Sequence, residues 1–300
     1  MPILDLSPAP DKLMFGAVEA TKLYAGASLV FTAPGGGPSY PTGSWLVANF
    51  SYDGAAAELD TIGTVDNNPQ DLYIRDDGIR MWFVGSGNSS IYQYTLSTAW
   101  ELSTATYDSV SLVISADPES VWFRPDGMGF FTVDSTTDEL YYYALSTAWD
   151  ISTGSSTPTA SYALPGANPK GVWGKPDGTR LYVTDIARDL IDEIDLSTPF
   201  DLTTASLGGS HDPSGVESST MKIVIRDDGL VMFTGGSSGD DPVYQYSLST
   251  AWDITTASYD SVSLSTSGSG NTDTRGLFVK PDGTRLYIAG SSDDIYQYSI

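Results

Sequence analysis

The stretch GVWGKPDGTRLYVT, residues 171–184, holds two short runs rich in β-branched and aromatic residues on either side of Pro176-Asp177-Gly178. An Asp-Gly pair between two such runs indicates a β-hairpin, because glycine accepts the positive φ that a tight turn requires. The stretch therefore predicts two antiparallel strands joined by a tight turn.

This turn motif, Asp or Pro followed by Asp-Gly, occurs five times, with its glycines 49, 51, 51 and 54 residues apart. Its copies are Asp76–Gly78, Pro125–Gly127, Pro176–Gly178, Asp227–Gly229 and Pro281–Gly283. The strand after each copy is apolar on both faces, which is typical of a strand covered on both sides. A third strand is expected at the Tyr-Gln-Tyr sequences and a fourth at residues 107–112 and 259–264. Four strands in about 50 residues, stacked face to face, predict the blades of a β-propeller.

The last repeat stops after its third strand, at Tyr296–Ile300. Near the N-terminus, Trp45 precedes Tyr52 by seven residues. The same spacing separates a tryptophan from a fourth-strand tyrosine in two complete repeats, Trp100–Tyr107 and Trp252–Tyr259. We therefore predict an all-β fold, a five-bladed β-propeller over residues 41–300 that is closed by an N-terminal strand containing Trp45 and Tyr52. Closure of this kind leaves no free blade edge.

The amino-acid composition excludes several classes of function. A chain of 300 residues with 40% apolar residues can bury a sizeable core. The formal charge of −24 opposes binding to phosphate backbones, so nucleic acid is not an expected partner. With no cysteine there is no disulfide or thiol chemistry. The sequence lacks a run of 18 apolar residues and a basic-then-apolar leader, so we expect a soluble protein without signal peptide, transmembrane segment or membrane insertion.

Two residue types recur beside the turns. The first is a set of aromatic residues, Trp45, Trp100, Trp149, Phe200 and Trp252. These residues either wedge between neighbouring blades or form sugar-stacking platforms, and the packing role is the more common one for large aromatic side chains. The second is a basic residue before each motif with an aspartate two residues later, as in Lys175 and Asp177. Such pairs indicate local turn electrostatics or, alternatively, a charged ring that binds an ion.

A single catalytic site should break the fivefold symmetry. The only histidine, His211, lies in a glycine-rich stretch, residues 208–215, which we interpret as a loop insertion. The sequence contains no Gly-x-Ser-x-Gly elbow, zinc-ligand spacing or phosphate-binding loop. The third repeat is the most divergent and has Ile191–Ile194 in place of the Tyr-Gln-Tyr sequence. This divergence marks either a face that contacts a partner or simple sequence drift. We expect no catalytic residues, no cofactor and no metal, and hence no enzyme.

Two repeat sequences resemble known families. Residues 176–184, PDGTRLYVT, resemble the repeat of lactonase-type propellers. Two departures argue against lactonase activity. The sequence has five repeats, whereas that family has seven, and it lacks a distinctive set of His and Glu residues. Residues 248–263, LSTAWDITTASYDSVS, resemble repeats of propeller proteins from tailed bacteriophages and marine bacteria.

The first residues resemble a second phage module. Residues 12–31, KLMFGAVEATKLYAGASLVF, are similar to a short module of phage structural proteins that contains Lys-x-Tyr-x-Gly. They predict strand, turn and strand, a β-hairpin too small to hold a core alone. We therefore expect a docking arm over 1–32 and a Gly/Pro linker over 33–40, although an arm folded onto its own propeller is an alternative. The expected docking residues are Leu13, Phe15, Lys22, Leu23, Tyr24, Leu29, Val30 and Phe31.

These resemblances imply a structural or accessory protein of a tailed phage virion, as a capsid decoration or a tail or fibre component. The arm would anchor the protein to other virion subunits, and the propeller would project for interaction with a surface, with a host-surface glycan as a further partner. The alternative is a free-standing bacterial propeller that binds carbohydrate or resembles a lactonase.

Overall fold

A computed structural model gives the fold. It describes residues 13–15, 18–20, 40–41, 43–57, 59, 65–114, 117–237, 242–270, 273–291 and 294–300, the first two ranges by their backbone alone. The chain divides into two compact units, residues 1–40 and 41–300.

The first unit contains a short antiparallel pair of strands, β1 (Leu13–Phe15) and β2 (Val18–Ala20), in which Met14 lies opposite Glu19. This pair lies within the predicted arm. The remaining predicted docking residues lie outside the described residues, namely Lys22, Leu23, Tyr24, Leu29, Val30 and Phe31. The same holds for residues 33–39 of the predicted linker.

The second unit is a ring of five four-stranded antiparallel sheets, as predicted. The closing strand is β3 (Ser51–Tyr52). Blade 1 consists of β4 (Pro69–Ile74), β5 (Arg80–Gly85), β6 (Ser90–Leu96) and β7 (Ala105–Val113). Blade 2 consists of β8 (Trp122–Phe123), β9 (Gly129–Asp134), β10 (Glu139–Ala144) and β11 (Ala160–Ala163). Blade 3 consists of β12 (Pro169–Gly174), β13 (Arg180–Asp185), β14 (Leu190–Leu196) and β15 (Ala205–His211). Blade 4 consists of β16 (Thr220–Ile225), β17 (Val231–Gly236), β18 (Val243–Leu248) and β19 (Ala257–Leu264). Blade 5 consists of β20 (Gly276–Val279), β21 (Arg285–Ala289), β22 (Ile295–Ser299) and β3.

The N-terminal strand completes blade 5. In β3, Tyr52 lies opposite Tyr298 and Ser51 opposite Ser299. Beyond β3, the backbone nitrogen of Leu59 donates to the carbonyl of Ile295 at 3.0 Å. The predicted closure of the ring by the segment that contains Trp45 and Tyr52 is therefore confirmed.

The core lies between the blades, because the second strand of every blade is buried on both faces. Single 3₁₀ turns precede the outer strands, at Val47–Asn49, Leu102–Thr104, Ile151–Thr153, Leu202–Thr204 and Ile254–Thr256. Two further 3₁₀ turns lie at Ala55–Ala57 and Ser267–Ser269. In the part of the chain that the structure describes, none of the helices has the length and apolar character that a membrane span requires.

Candidate functional site

The five repeated aromatic residues pack between neighbouring blades. Each has a positive φ, between 54° and 68°, and covers the glycine of its own repeat's turn motif, as Trp149 covers Gly127. The backbone nitrogen of Trp149 also donates to the carbonyl of Gly127 at 2.9 Å. Across the seam, the indole of Trp149 (blade 2) stacks on Trp82 (blade 1) with ring centroids 5.6 Å apart. These residues therefore join blades.

The charged pairs at the turns are local ion pairs. The N–O distances are 2.5 Å for Arg75–Asp77, 2.6 Å for Arg124–Asp126, 2.8 Å for Lys175–Asp177, 2.8 Å for Arg226–Asp228 and 2.7 Å for Lys280–Asp282. Some of the cations also cover an aromatic ring of the next blade, and the guanidinium carbon of Arg124 lies 4.4 Å from the ring centre of Phe200. Local electrostatics and contacts between blades therefore account for the repeated basic residue.

The glutamine of the Tyr-Gln-Tyr sequence binds the following blade. Gln245 Oε1 accepts a hydrogen bond of 2.9 Å from the backbone nitrogen of Val47. Glu193 replaces this glutamine in the third repeat, where its Oε1 accepts a bond of 2.9 Å from the backbone nitrogen of Ile254. The added negative charge is compensated by Arg180, whose Nη1 lies 2.9 Å from Glu193 Oε1. At this position the third repeat differs in sequence but keeps the contact between blades.

His211 does not lie in a loop insertion. It ends β15, where it pairs with Ile191, and its ring lies edge-on to Tyr246 of blade 4 at 5.4 Å. Burial lowers the pKa of the imidazole below its ordinary value, and Nε2 has no hydrogen-bond partner within the described residues. The repeated glycines hid this strand, because Gly208 and Gly209 weaken the strand signal without breaking the β15 ladder.

The fivefold symmetry breaks along the central channel. The innermost segment of each blade lies just before the turn motif. One position of this segment, four residues before the basic residue of the turn, carries a different residue in almost every blade. These channel residues are Asp71, Ser120, Gly171, Lys222 and Gly276. An aspartate and a lysine thus enter a ring of positions where the other blades carry small side chains.

Lys222 and Asp71 form a buried charged layer in the channel. The Lys222 ammonium donates to the backbone carbonyls of Lys170 and Glu119, and so reaches from blade 4 past blade 3 to blade 2. Burial lowers the pKa of Lys222 to about 8, against the opposing effect of Asp71. Burial likewise raises the pKa of Asp71, whose carboxylate accepts hydrogen bonds from Ser120 Oγ and from the backbone nitrogen of Leu72 at 2.9 Å. This layer joins several blades through one cation.

Next to this layer the channel carries charges of both signs. The ammonium of Lys170 forms an ion pair with Glu119. Arg275 donates from Nη1 to the side-chain oxygen of Asn68 at 2.6 Å, and its Nη2 lies 3.5 Å from Asp273. The charges at this level compensate one another, which is typical of a structural contact.

Towards the turn motifs, aromatic rings fill the channel. The ring of Trp173 (blade 3) contacts Phe278 (blade 5) with centroids 6.4 Å apart, although blade 4 lies between them in the ring. Tyr73 (blade 1) contacts both adjacent blades, through Phe123 at 5.4 Å and Phe278 at 5.3 Å. A side chain that contacts both adjacent blades, or a blade beyond the adjacent one, must lie near the centre of the ring. These aromatic side chains therefore lie at the channel axis.

The end of the channel beside the turn motifs, called here the turn-side mouth, carries two carboxylates. Asp76 and Asp227 occupy a position that is proline in the other three repeats, Pro125, Pro176 and Pro281. Both aspartates are exposed to solvent, although nearby protein atoms partly desolvate them. This desolvation raises the pKa of both carboxyl groups, that of Asp227 to about 6, and the charge of Asp76 raises the pKa of Asp227 further.

A buried carboxylate caps the hairpin between the second and third strands in several blades. In blade 2 it belongs to the hairpin itself, where Asp134 accepts a hydrogen bond of 2.8 Å from the backbone nitrogen of Thr136. In blade 3, Asp185 does the same for Ala187 at 2.8 Å.

In blades 1 and 4 the hairpin carries glycine, and the carboxylate comes from the preceding loop. A Cβ added to Gly85 would lie 2.3 Å from the carboxyl carbon of Asp66, and one added to Gly236 would lie 2.1 Å from Glu217 Oε1. Blade 3 shows the reverse, since its loop position is Gly166, beneath Asp185. The carboxylate and the glycine thus exchange places between repeats.

Repeat alignment could have found the channel residues and this exchange. The predictions from sequence rested on positions that recur between repeats, whereas the channel is made of positions that differ. The described residues contain no group of three His, Cys, Asp or Glu side chains placed to hold a metal ion. The turn-side mouth, with its two carboxylates above an aromatic floor, is the candidate site that these contacts leave open, and its chemistry suits a cation.

Comparison with known proteins adds little. No protein-family model and no curated protein matches the sequence. Among solved structures, the chain is similar to the mitotic checkpoint complex (13% identity, TM-score 0.45, 74% of this chain and 59% of that chain). It is also similar to a proposed 6-phosphogluconolactonase from Bacteroides uniformis (15%, 0.46, 74% and 64%) and to hydrazine synthase from Kuenenia stuttgartiensis (15%, 0.48, 84% and 59%). The chain thus spans less than two thirds of each of these three chains, and likenesses this distant carry no functional argument.

Proposed function

We propose that this protein is a structural or accessory component of a tailed phage virion, in which residues 1–40 anchor the protein and the propeller projects as a binding module. The observation that carries the proposal is that the ring completes itself within residues 41–300. The closing strand Ser51–Tyr52, and Trp45 over Gly283, all belong to that unit. The five sheets of the ring therefore take all their described strands from residues 41–300.

The arm's composition supports an anchoring role. It carries several apolar side chains in a segment too short to bury them against one another. Burial of such side chains contributes about 1.5–3 kcal/mol each, so a handful suffices for stable attachment after the cost of association. The ring, in contrast, belongs to a chain with a formal charge of −24 and should attract other acidic surfaces little.

The test is removal of residues 1–38 in the phage that encodes the chain. We expect the truncated protein to fold as a monomer and to be lost from purified particles, with occupancy measured by quantitative mass spectrometry. Two variants serve as controls. Leu23→Asp with Tyr24→Asp keeps the length of the arm and should also reduce occupancy, whereas Asp126→Asn with Asp177→Asn alters the ring surface and should not.

Normal occupancy of the truncated protein would contradict the proposal, because the ring would then hold the protein on the particle. Absence of the full-length protein from purified particles would favour the alternative, a free-standing bacterial propeller that binds carbohydrate or acts on a lactone.

A further inference from the structure

Neither carboxylate at the turn-side mouth is the ion-pair partner of the basic residue beside it. In both repeats concerned, the nearby basic residue is engaged by the next aspartate, Arg75 by Asp77 at 2.5 Å and Arg226 by Asp228 at 2.8 Å. Neither Asp76 nor Asp227 has an ion pair or a hydrogen bond within the described residues. Each aspartate follows the innermost strand of its blade by two residues, Asp76 after β4 and Asp227 after β16, so both lie at the same end of the channel. The charge of Asp76 acts on Asp227.

The largely buried side chain of Tyr73 lies at the same end of the channel. Tyr73 is 7% exposed and lies at the axis between blades 2 and 5. Its hydroxyl makes no hydrogen bond within the described residues. Burial raises the pKa of Tyr73, and the charges of Asp76 and Asp227 raise it further. The hydroxyl oxygen is not among the fully buried side-chain atoms that lack a partner, so it reaches solvent, where water or a ligand can satisfy it.

We propose that the turn-side mouth binds an organic cation, the ammonium or guanidinium group of a lysine or arginine side chain on a partner protein, between Asp76 and Asp227 and above Tyr73. Two carboxylates supply charge-assisted hydrogen bonds to such a group, and the aromatic floor supplies a cation–π surface. A metal ion fits less well, because calcium requires six to eight oxygen ligands and the described residues offer no group of three acidic side chains or histidines here.

The sequence of the repeats supports a role beyond the fold. Proline at this position fits the turn in three of the five repeats, at Pro125, Pro176 and Pro281. Asp76 and Asp227 make no compensating contact within the described residues, so the carboxylates are not needed to build the turn. The site consists of residues of the second unit, and its failure would leave the anchoring role proposed above untouched.

The test uses the full-length protein and methylguanidinium, titrated by isothermal calorimetry at low ionic strength and pH 7.5 (about one to two units above the Asp227 pKa of about 6). The variant Asp76→Pro with Asp227→Pro restores the residue of the other repeats and should keep the fold. We expect it to lose about tenfold or more in affinity. The binding should also weaken as the pH falls through about 6, because protonation of Asp227 removes one of the two charges.

The matched control is Asp126→Asn with Asp177→Asn, which removes the same number of charges from the turn motifs of two other blades, at aspartates that are paired with Arg124 and Lys175. Its affinity should stay within about twofold of the unmodified protein. Equal affinity of the proline variant and the unmodified protein would overturn the proposal. So would mouth-dependent binding of calcium chloride without binding of methylguanidinium, since the ligand would then be a metal ion.

Discussion

The side-chain amide of Gln297 donates a hydrogen bond of 2.8 Å to the carboxylate of Asp53, although 244 residues separate the two in the chain. The same bond occurs within single repeats, from Gln93 to Asp108 at 2.8 Å. Gln297 also accepts a bond of 3.1 Å from the backbone nitrogen of Leu102 in blade 1. One side chain thus holds together the closing strand, blade 5 and blade 1.

Removal of residues 1–60 should destroy the ring, whereas removal of residues 1–38 should not. The longer deletion takes away Trp45 and the closing strand, and so exposes the edge of β22 and the seam beneath the indole. We expect the longer deletion to aggregate and the shorter one to melt cooperatively as a monomer, as measured by size-exclusion chromatography and thermal denaturation. A soluble, cooperatively folding protein without residues 1–60 would contradict the closure.

Gly283→Ala should destabilise the ring far more than Gly54→Ala. Both glycines have a positive φ, 71° and 92°, but a Cβ at Gly283 would lie 2.0 Å from the Trp45 ring, whereas nothing lies within 4 Å of a Cβ at Gly54. The backbone strain costs roughly 1–2 kcal/mol at either position, and overpacking adds roughly 1–3 kcal/mol at Gly283 alone. Urea denaturation would measure the free energy of unfolding of both variants. Equal losses of stability would contradict the prediction, because they would show that the Trp45 ring moves aside without an energetic cost.

Exchange of Asp66 and Gly85 should preserve stability better than either single change. Asp66→Gly removes the bond of 2.9 Å to the backbone nitrogen of Asn88 and leaves polar groups buried, at a cost of about 1–3 kcal/mol. Gly85→Asp alone places a second carboxylate where Asp66 already lies. The double variant copies the arrangement of Asp185 and Gly166 in blade 3. A double-mutant cycle by urea denaturation should give a favourable coupling, and simple additivity would refute the exchange.

The contribution of Lys222 to the free energy of unfolding should rise as the pH becomes alkaline. Its pKa is about 8 in the folded protein, against 10.5 ordinarily, so the unfolded chain binds more protons between these values and the contribution of Lys222 to stability rises with pH across that window. Relative to Lys222→Met, the unmodified protein should therefore gain stability from pH 7.5 to pH 10, as measured by urea denaturation in steps of about half a pH unit. Lys170→Met, which removes a less buried lysine, is the control. A constant difference between the protein and Lys222→Met would contradict the assignment.

The ring and its closure were predictable because both depend on short sequence motifs and on the spacing between nearby residues. Each turn motif sets a hairpin by itself, and the spacing of Trp45 and Tyr52 repeats that of complete blades. The hairpin arm was predicted on similar grounds, but of it the structure describes only the pairing of residues 13–15 with 18–20.

The channel was not predictable in this way, since its contacts join residues of different blades. Nothing near Lys222 in the sequence indicates that its ammonium reaches the carbonyl of Glu119, 103 residues away. The positive φ of Trp149, 64°, is similarly hidden, because a bulky residue rarely adopts it without tertiary packing. The fold follows from what the repeats share, and the candidate site follows from where they differ.

The closing strand is among the first parts of the ring to leave the ribosome, and its partner strand is the last. Asp53 and Ser299 are 246 positions apart, a length of chain that takes roughly 12–50 s to synthesise at about 5–20 residues per second. During that time Ser51 and Tyr52 have no β22 to pair with, and four blades can form before the fifth is complete. A newly made blade 5 accepts this strand from its own chain or from a neighbouring one, so crowded synthesis should favour strand-exchanged dimers and dilution should favour the closed monomer.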